Sequence, residues 1–130
     1  MAEARLAEVR LQGGPQIGIQ SVSISRVAGL LKRFPGFETR FFTENERRYC
    51  RAQRRKPDQH FAARLAAKLA ARKMVGAGRL LEFEVVRDAL GAPQLIVNGS
   101  AAHRCAGKVL RLSISHEGDL AVALAVMVDD

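Results

Sequence analysis

Three basic side chains recur every four residues in the segment that runs from Phe61 to Gly78. They are Arg64, Lys68 and Arg72, and in a helix this spacing places them in one stripe. Arginine and lysine bind phosphate through charge-assisted hydrogen bonds. The stripe therefore has the chemistry to bind a phosphorylated ligand, although most stripes of this kind are simply solvated helix faces.

An apolar stripe on the same segment would hold that helix in the protein. Phe61, Leu65 and Leu69 also recur every four residues, as expected for the buried side of an amphipathic helix. On periodicity alone Leu69 is a core residue. The segment as a whole predicts a long helix that ends at Gly76 and Gly78.

Further helices are predicted before this one. A helix over 24–34 follows the strand-like segment 17–24 and is stopped by Pro35 and Gly36. Thr43 followed by Glu46 is a capping box that starts a second helix, which Pro57 closes. Asp58 is a candidate N-cap for the long third helix.

The second half of the sequence is mostly strand material. Alternating or continuous apolar runs with short turns between them predict antiparallel strands at 80–88, 94–98, 109–117 and 120–128. Three helices combined with hairpin-linked strands indicate an α+β fold.

Composition limits the class of protein and its partners. The chain has 130 residues, 48% of them hydrophobic and 26% charged, which is typical of a single soluble globular domain. The charged N-terminus is not a signal peptide, no apolar run is long enough to span a membrane, and two cysteines make no disulfide framework. We therefore expect a cytoplasmic protein with reduced thiols and no membrane partner.

The net charge of +8 indicates an acidic partner. Nucleic acid, anionic lipid, a phosphorylated cofactor and an acidic protein are all candidates. The basic residues concentrate between Arg26 and Lys73. The three histidines are far apart in sequence and neither cysteine belongs to a metal-ligand cluster, so zinc has little support.

Five ordered motifs resemble those of the holo-acyl-carrier-protein synthases, small members of the 4′-phosphopantetheinyl transferase superfamily. FAARLAAKLAARKMVGAG (61–78) resembles their FAxRxAAKEAxxKAxGxG signature. The others are IGIQSVSISRV (17–27), RFFTENE (40–46), GAP (91–93) and LSISHEGDLAVALAV (112–126), in the family's order and spacing. The resemblance covers a single domain over 16–130, and residues 1–15 look like an N-terminal extension.

The resemblance implies an α+β fold, with three helices packed on an antiparallel sheet, assembled as a homotrimer with clefts between subunits. The family reaction transfers 4′-phosphopantetheine from coenzyme A to a serine of an acyl carrier protein. Phosphoryl transfer of this kind depends on positioning and on charge neutralisation. The family's Mg²⁺ bridges the coenzyme pyrophosphate and is held by two carboxylates.

Both metal-binding carboxylates are missing from this chain. Gln20 stands at the aspartate position, Leu69 at the glutamate position, and Ser23 at a third acidic position of the opening motif. A glutamine offers a neutral carbonyl oxygen, whereas a leucine offers no ligand. We therefore expect no Mg²⁺ held by protein ligands. Leu69 belongs to the apolar stripe of the helix and also stands at the position of a metal ligand in the family.

The residues that meet the substrates in the family are retained. By resemblance, Lys68 and Lys73 are catalytic lysines near the pyrophosphate. Arg64, Lys68, Ser115 and His116 are expected to bind coenzyme A. The expected carrier-protein contacts are Arg26, Arg47 and Arg51.

Three hypotheses follow. The first is a relative that binds acyl carrier protein, coenzyme A or both, with transfer lost or strongly impaired. The second is an active transferase that recruits Mg²⁺ through Gln20, waters and pyrophosphate oxygens, since Mg²⁺ commonly keeps several waters. The third is a basic nucleic-acid-binding module. Against it, one tyrosine and no tryptophan leave no evident stacking platform.

Overall fold

A computed structural model describes residues 16–130. The predicted N-terminal extension, 1–15, lies outside the described residues. The strands are β1 (Gln16–Ser23), β2 (Phe83–Arg87), β3 (Pro93–Val97), β4 (Lys108–Glu117) and β5 (Leu120–Asp129). The helices are α1 (Ile24–Arg33), α2 (Pro35–Phe41), α3 (Glu44–Ala52), α4 (Pro57–Val75) and α5 (Gly99–Arg104), with a 3-10 turn at Leu80–Glu82.

The α+β prediction is confirmed, and two helices are added to the predicted three. Pro35 does not only stop α1; it also begins α2, because its missing N–H and fixed φ suit the first turn of a helix. Helix α3 ends at Ala52, before Pro57, and Pro57 opens α4 behind the left-handed Lys56. Asp58 therefore lies inside the first turn and is not the N-cap.

Two predicted helix boundaries are confirmed by their cap geometry. The Thr43 hydroxyl accepts a hydrogen bond from the backbone N–H of Glu46, and the Glu46 carboxylate accepts one from the N–H of Thr43. Helix α4 ends at Gly76, which adopts φ +87° and donates its N–H to the carbonyl of Arg72. Glycine enters this left-handed region without a steric penalty, so the helix stops there.

The strands form two antiparallel units. Strand β5 lies in the centre of a three-stranded sheet with the order β1-β5-β4, while β2 and β3 form a separate hairpin. Helix α4 packs across the three-stranded sheet. A side chain at position 18 would place its Cβ 2.0 Å from the carbonyl oxygen of Ala70, so Gly18 lets the backbones of β1 and α4 meet.

Small residues bring α4 close to the sheet. Ala121, Ala123 and Ala125 of β5 are buried against the helix. The alanines of α4, which are Ala62, Ala66, Ala67, Ala70 and Ala71, are also buried. Larger side chains such as Phe42, Phe61 and Phe83 fill the space between α4, the neighbouring helices and the hairpin.

The other face of the three-stranded sheet is apolar and uncovered in the single chain. Ile17 and Ile19 of β1 are 56% and 60% exposed. In the sheet register they pair with Val126 and Leu124 of β5. The alternation that buries the alanines of β5 thus turns its valines and its leucines outward.

Both cysteines are free thiols. Cys50 is buried and Cys105 is partly buried. Burial is the main reason that the pKa of Cys50 rises to about 11, so this thiol stays protonated and unreactive.

Among residues 16–130, no helix has the length and apolar character needed to cross a lipid bilayer.

Candidate functional site

A groove of about 260 Å³ lies where α4, the β2–β3 hairpin and β4 meet. It brings together two residues singled out in the sequence, Arg64 from α4 and His116 from β4. The remaining lining residues are Gln59, His60, Ala63, Val85, Arg87, Pro93 and Ile114. The lining contains two arginines, two histidines and no carboxylate, so the groove is basic.

Arg64 is a buried cation without a carboxylate partner among the described residues. Its side chain is only 3% exposed, and its Nε has no hydrogen-bond acceptor in residues 16–130. The Cζ atom lies 4.0 Å from the centre of the Tyr49 ring, a cation–π contact. An anion in the groove would offset part of the desolvation cost of this buried cation.

Arg87 reaches the same tyrosine from the other side of the groove. Its Cζ lies 5.4 Å from the centre of the Tyr49 ring. Its Nη1 donates a 2.6 Å hydrogen bond to the carbonyl of Gly91, in the turn between β2 and β3. Two guanidinium groups from separate elements are thus held at one aromatic ring.

Two histidines complete the groove. Gln59 Nε2 lies 2.6 Å from His116 Nε2, and because the amide nitrogen is a donor, His116 Nε2 is the acceptor. The His60 ring contacts Tyr49 edge-on, with centroids 5.7 Å apart. Burial lowers the pKa of His60, and the positive charges of Arg64 and Arg87 lower it further.

Ser115 and His116, both expected to bind coenzyme A, lie on opposite faces of the sheet. Neighbouring strand residues point to opposite faces of a sheet. Ser115 is opposite Val122 in the register, on the outer face, whereas His116 is opposite Ala121 on the inner face. Only His116 therefore lines the groove.

Lys68, expected to be a catalytic and coenzyme-binding lysine, forms a buried ion pair. Its side chain is completely buried, and its Nζ lies 2.5 Å from Glu46 Oε1. Glu46 Oε2 accepts a further hydrogen bond from the N–H of Val85 at the hairpin. Burial lowers the pKa of Lys68, and the Glu46 carboxylate opposes that change. In the single chain this ammonium ties α4 to α3, and its expected role at the coenzyme stays a prediction.

Gln20 and Leu69 offer no anionic oxygen. Gln20 Nε2 donates to the carbonyl of Ser21 at 2.8 Å, and Leu69 packs against the core. Lys73, one turn beyond Leu69, has its Nζ 3.5 Å from the carbonyl of Ile19. Within the described residues, no three His, Cys, Asp or Glu side chains come together as possible metal ligands. These residues do not fit Mg²⁺, which requires oxygen ligands and favours carboxylates.

Ser23, at the third acidic position, contacts a carboxylate from another element. The Ser23 hydroxyl donates to Asp119 Oδ2 at 2.8 Å. Asp119 also accepts hydrogen bonds from the hydroxyl and the backbone N–H of Ser25, and these bonds lower its pKa. Its oxygens thus cap the start of α1.

The predicted carrier-protein residues lie on α1 and α3. Arg26 is exposed on α1 beside an open depression that also includes Arg33. Arg51 makes two hydrogen bonds to Glu38, at 2.9 Å and 2.6 Å, which raise its pKa. Arg47 has a buried Nε without a partner among the described residues. Of the three, only Arg26 is both exposed and outside an ion pair among the described residues.

Comparison with known proteins identifies the fold. A family model described as ACPS, the 4′-phosphopantetheinyl transferase superfamily, matches residues 16–125. The chain belongs to this superfamily. It is 36% identical over 125 residues to a holo-[acyl-carrier-protein] synthase of Nocardia farcinica, covering 87% of this chain and 86% of that one.

Solved structures of superfamily members agree with this assignment. One described as a Chronobacterium ammoniagenes ACPS-CoA complex has a TM-score of 0.79 at 28% identity, covering 90% of this chain and 98% of that one. The Helicobacter pylori synthase in complex with coenzyme A has a TM-score of 0.73 at 28% identity, covering 88% of this chain and 99% of that one.

Several residues that line the groove were not predicted from the sequence of this superfamily member. Gln59, His60 and Arg87 belong to no motif, and only the fold places them beside Arg64. Tyr49 is the only tyrosine in the chain. Its place within a run of arginines was the available signal of a cation–π cluster.

Proposed function

We propose that this superfamily member binds coenzyme A and an acyl carrier protein, with phosphopantetheinyl transfer lost or strongly impaired. The observation that carries the proposal is the pair Gln20 and Leu69 at the positions of the family's metal ligands. Within residues 16–130, no three His, Cys, Asp or Glu side chains form an alternative metal site, and Asp119 is engaged at the start of α1. The substrate-binding cations, by contrast, are present.

The basic groove supports coenzyme binding. Coenzyme A carries a phosphate monoester and a pyrophosphate, and Arg64 is a buried cation with an unsatisfied Nε among the described residues. In this proposal Arg64 and His116 bind phosphate oxygens of the coenzyme. Lys73, which is exposed near β1, supplies positive charge beside the position where the family holds its metal.

Phosphoryl transfer is the step that this chain is least equipped to catalyse. Phosphoryl transfer requires neutralisation of charge on the pyrophosphate as its bond to the pantetheine phosphate breaks. Lys73 brings a single positive charge, and Leu69 brings an apolar side chain. The chain can therefore bind and orient the coenzyme. In its relatives a dication neutralises this charge, but Gln20 and Leu69 provide no carboxylate ligands for such an ion.

The surface of α1 supports carrier-protein binding. Arg26 and Arg33 are exposed on this helix, and an acyl carrier protein presents an acidic helix. Complementary charge of this kind steers association and fixes orientation.

The uncovered sheet face supports the proposed homotrimer. Large contiguous apolar patches are rare on soluble monomers and are typical of interaction surfaces. Besides Ile17 and Ile19, the face includes Val122, Leu124 and Val128. Light scattering tests this part of the proposal, since a monomer of about 14.2 kDa would contradict it.

The decisive experiment is conversion of an apo carrier protein to its holo form, followed by mass spectrometry with Mg²⁺ and coenzyme A present. We expect little or no conversion by the natural sequence and a gain by the Gln20→Asp, Leu69→Glu double variant. Conversion by the natural chain at the rate of an intact relative would establish instead an active transferase with Mg²⁺ held by Gln20, waters and substrate oxygens.

A further inference from the structure

We infer that His60 couples ligand binding to proton uptake, so that this residue strengthens the binding of a phosphate ligand as the pH falls. The inference rests on the proposed binding of coenzyme A and adds a pH dependence to it. His60 does not need to touch the phosphate, because two bound species that interact through charge affect each other's affinity equally.

Charged and titratable groups reach His60 from four elements. Arg64 lies one turn further along α4, while Arg87 of β2 and His116 of β4 line the same groove. Tyr49 of α3 meets the His60 ring edge-on, with centroids 5.7 Å apart. The Cζ atoms of Arg64 and Arg87 lie 4.0 Å and 5.4 Å from the centre of that tyrosine ring. One titratable imidazole and two permanent positive charges therefore share one aromatic neighbour.

This surrounding keeps His60 neutral in the ligand-free chain near pH 7. Burial lowers the pKa of His60 below its ordinary value of 6.5, and repulsion from Arg64 and Arg87 lowers it further. A positive charge on His116 acts in the same direction. No carboxylate lines the groove to balance a further positive charge.

A bound phosphate changes this balance. A phosphate monoester carries a charge of about −1.5 to −2 near neutral pH, and nearby negative charge favours the protonated form of a histidine. Phosphates held at Arg64 therefore raise the pKa of His60 towards neutrality. By reciprocal linkage, the protonated imidazole then favours the phosphates.

The second histidine of the groove is less free to take the proton. His116 Nε2 accepts a hydrogen bond from Gln59 Nε2 at 2.6 Å. Protonation at that nitrogen requires the amide to turn and present its oxygen. His60 contacts Tyr49 through its ring, and this contact needs no such rearrangement.

Calorimetry in buffers of different ionisation enthalpy tests the inference, because protons taken up on binding are drawn from the buffer. With coenzyme A at pH 6.5, the natural chain should take up about 0.3 more protons per site than His60→Gln. Any uptake that remains in the variant belongs to His116 and to the phosphate of the ligand. His103→Gln is the matched control, since His103 is exposed on α5. It should leave the uptake unchanged.

The affinity for coenzyme A gives a second measurement. At pH 8 the natural chain and His60→Gln should bind within about twofold of each other, because the imidazole is neutral there. At pH 6 the natural chain should bind about fivefold more tightly, at the lower end of typical coupling between two sites. Titration of the ligand itself affects both chains equally and cancels in their ratio.

Equal proton uptake by the natural chain and His60→Gln would overturn this inference while leaving coenzyme binding intact. So would a ratio of affinities that is the same at pH 8 and pH 6, because a side chain that only packs affects binding equally at both values. Failure of the natural chain to bind coenzyme A at either pH would overturn the proposed function itself.

Discussion

Lys68 Nζ lies 2.5 Å from Glu46 Oε1, and neither side chain has any exposed surface. The pair joins the middle of α4 to the start of α3, and through the N–H of Val85 it also reaches the hairpin. It therefore holds the elements that carry Arg64, Tyr49 and Arg87 in their relative positions.

Removing one member of this pair should destabilise the protein strongly. Lys68→Met leaves the Glu46 carboxylate buried without a counter-ion, which costs about 3–5 kcal/mol. Lys68→Met combined with Glu46→Gln should recover part of that loss, because no unpaired charge remains. Denaturant unfolding of the single and double variants measures the coupling. Strictly additive effects of the two substitutions would show that the pair does not act as a unit.

Restoring carboxylates should create a Mg²⁺ site. Gln20→Asp together with Leu69→Glu places anionic oxygens on β1 and α4, which Mg²⁺ prefers. The double variant should bind Mg²⁺ at least tenfold more tightly than the natural chain, and each single variant should gain less. Calorimetric titration with Mg²⁺ checks this. Equal Mg²⁺ binding by the natural chain and the double variant would contradict our interpretation of Gln20 and Leu69.

Carrier-protein binding should be micromolar, sensitive to salt and dependent on Arg26. Charge reversal in Arg26→Glu should weaken binding by about tenfold or more, because a charge complementary to the acidic helix becomes repulsive. Raising the salt should weaken the natural complex as exposed charges are screened. Calorimetry at low and high salt measures both effects. Arg104→Glu, on the exposed side of α5, is the matched control.

Duplex DNA provides the contrasting partner in the same experiment. Indifference of carrier-protein binding to Arg26→Glu, combined with tight and salt-dependent binding of DNA, would support the nucleic-acid module instead.

Glu82 should make stability depend on pH in the acid range. Its carboxylate accepts hydrogen bonds from the N–H of Arg79, the hydroxyl of Ser100 and the N–H of Ala101. These bonds lower the pKa of Glu82 from 4.5 to about 2. Because the folded pKa lies below the unfolded value, the stabilisation is complete above about 4.5 and is lost as the pH falls towards about 2.

The measurement is the melting temperature of Glu82→Gln against the natural chain between pH 7 and pH 2. The variant should melt lower at pH 7, and the difference should shrink as the pH falls. Glu117→Gln, at the exposed end of β4, should show no comparable trend. A difference for Glu82→Gln that stays constant with pH would contradict the assignment.

The sequence predicted the elements with strong local signals. The capping box of Thr43 and Glu46 and the stop at Gly76 depend on neighbouring residues, so the chain itself displays them. Helices α2 and α5 were missed because they are short and open at Pro35 and Gly99, residue types that also mark turns.

Only the site residues that lie within family motifs were predicted from the sequence. Arg64 and His116 were found through the family resemblance, and the structure brings them to one groove. Arg87 was not found, because its closeness to Tyr49 depends on how the hairpin packs against α4. The burial of Lys68 was not predicted for a similar reason. A spacing of four residues predicts that Lys68 lies on the same side of the helix as Arg64 and Arg72. It does not predict whether another element buries the lysine.

The contact between Gly18 and Ala70 bears on how this chain departed from its relatives. Because no side chain separates β1 from α4, the spacing of the two elements is fixed by main-chain atoms and not by the residues that face the metal position. Substitutions at Gln20 and Leu69 could therefore accumulate without moving the scaffold. The backbone has the fold of the superfamily, so the loss proposed here is confined to side chains and should be reversible by side chains alone.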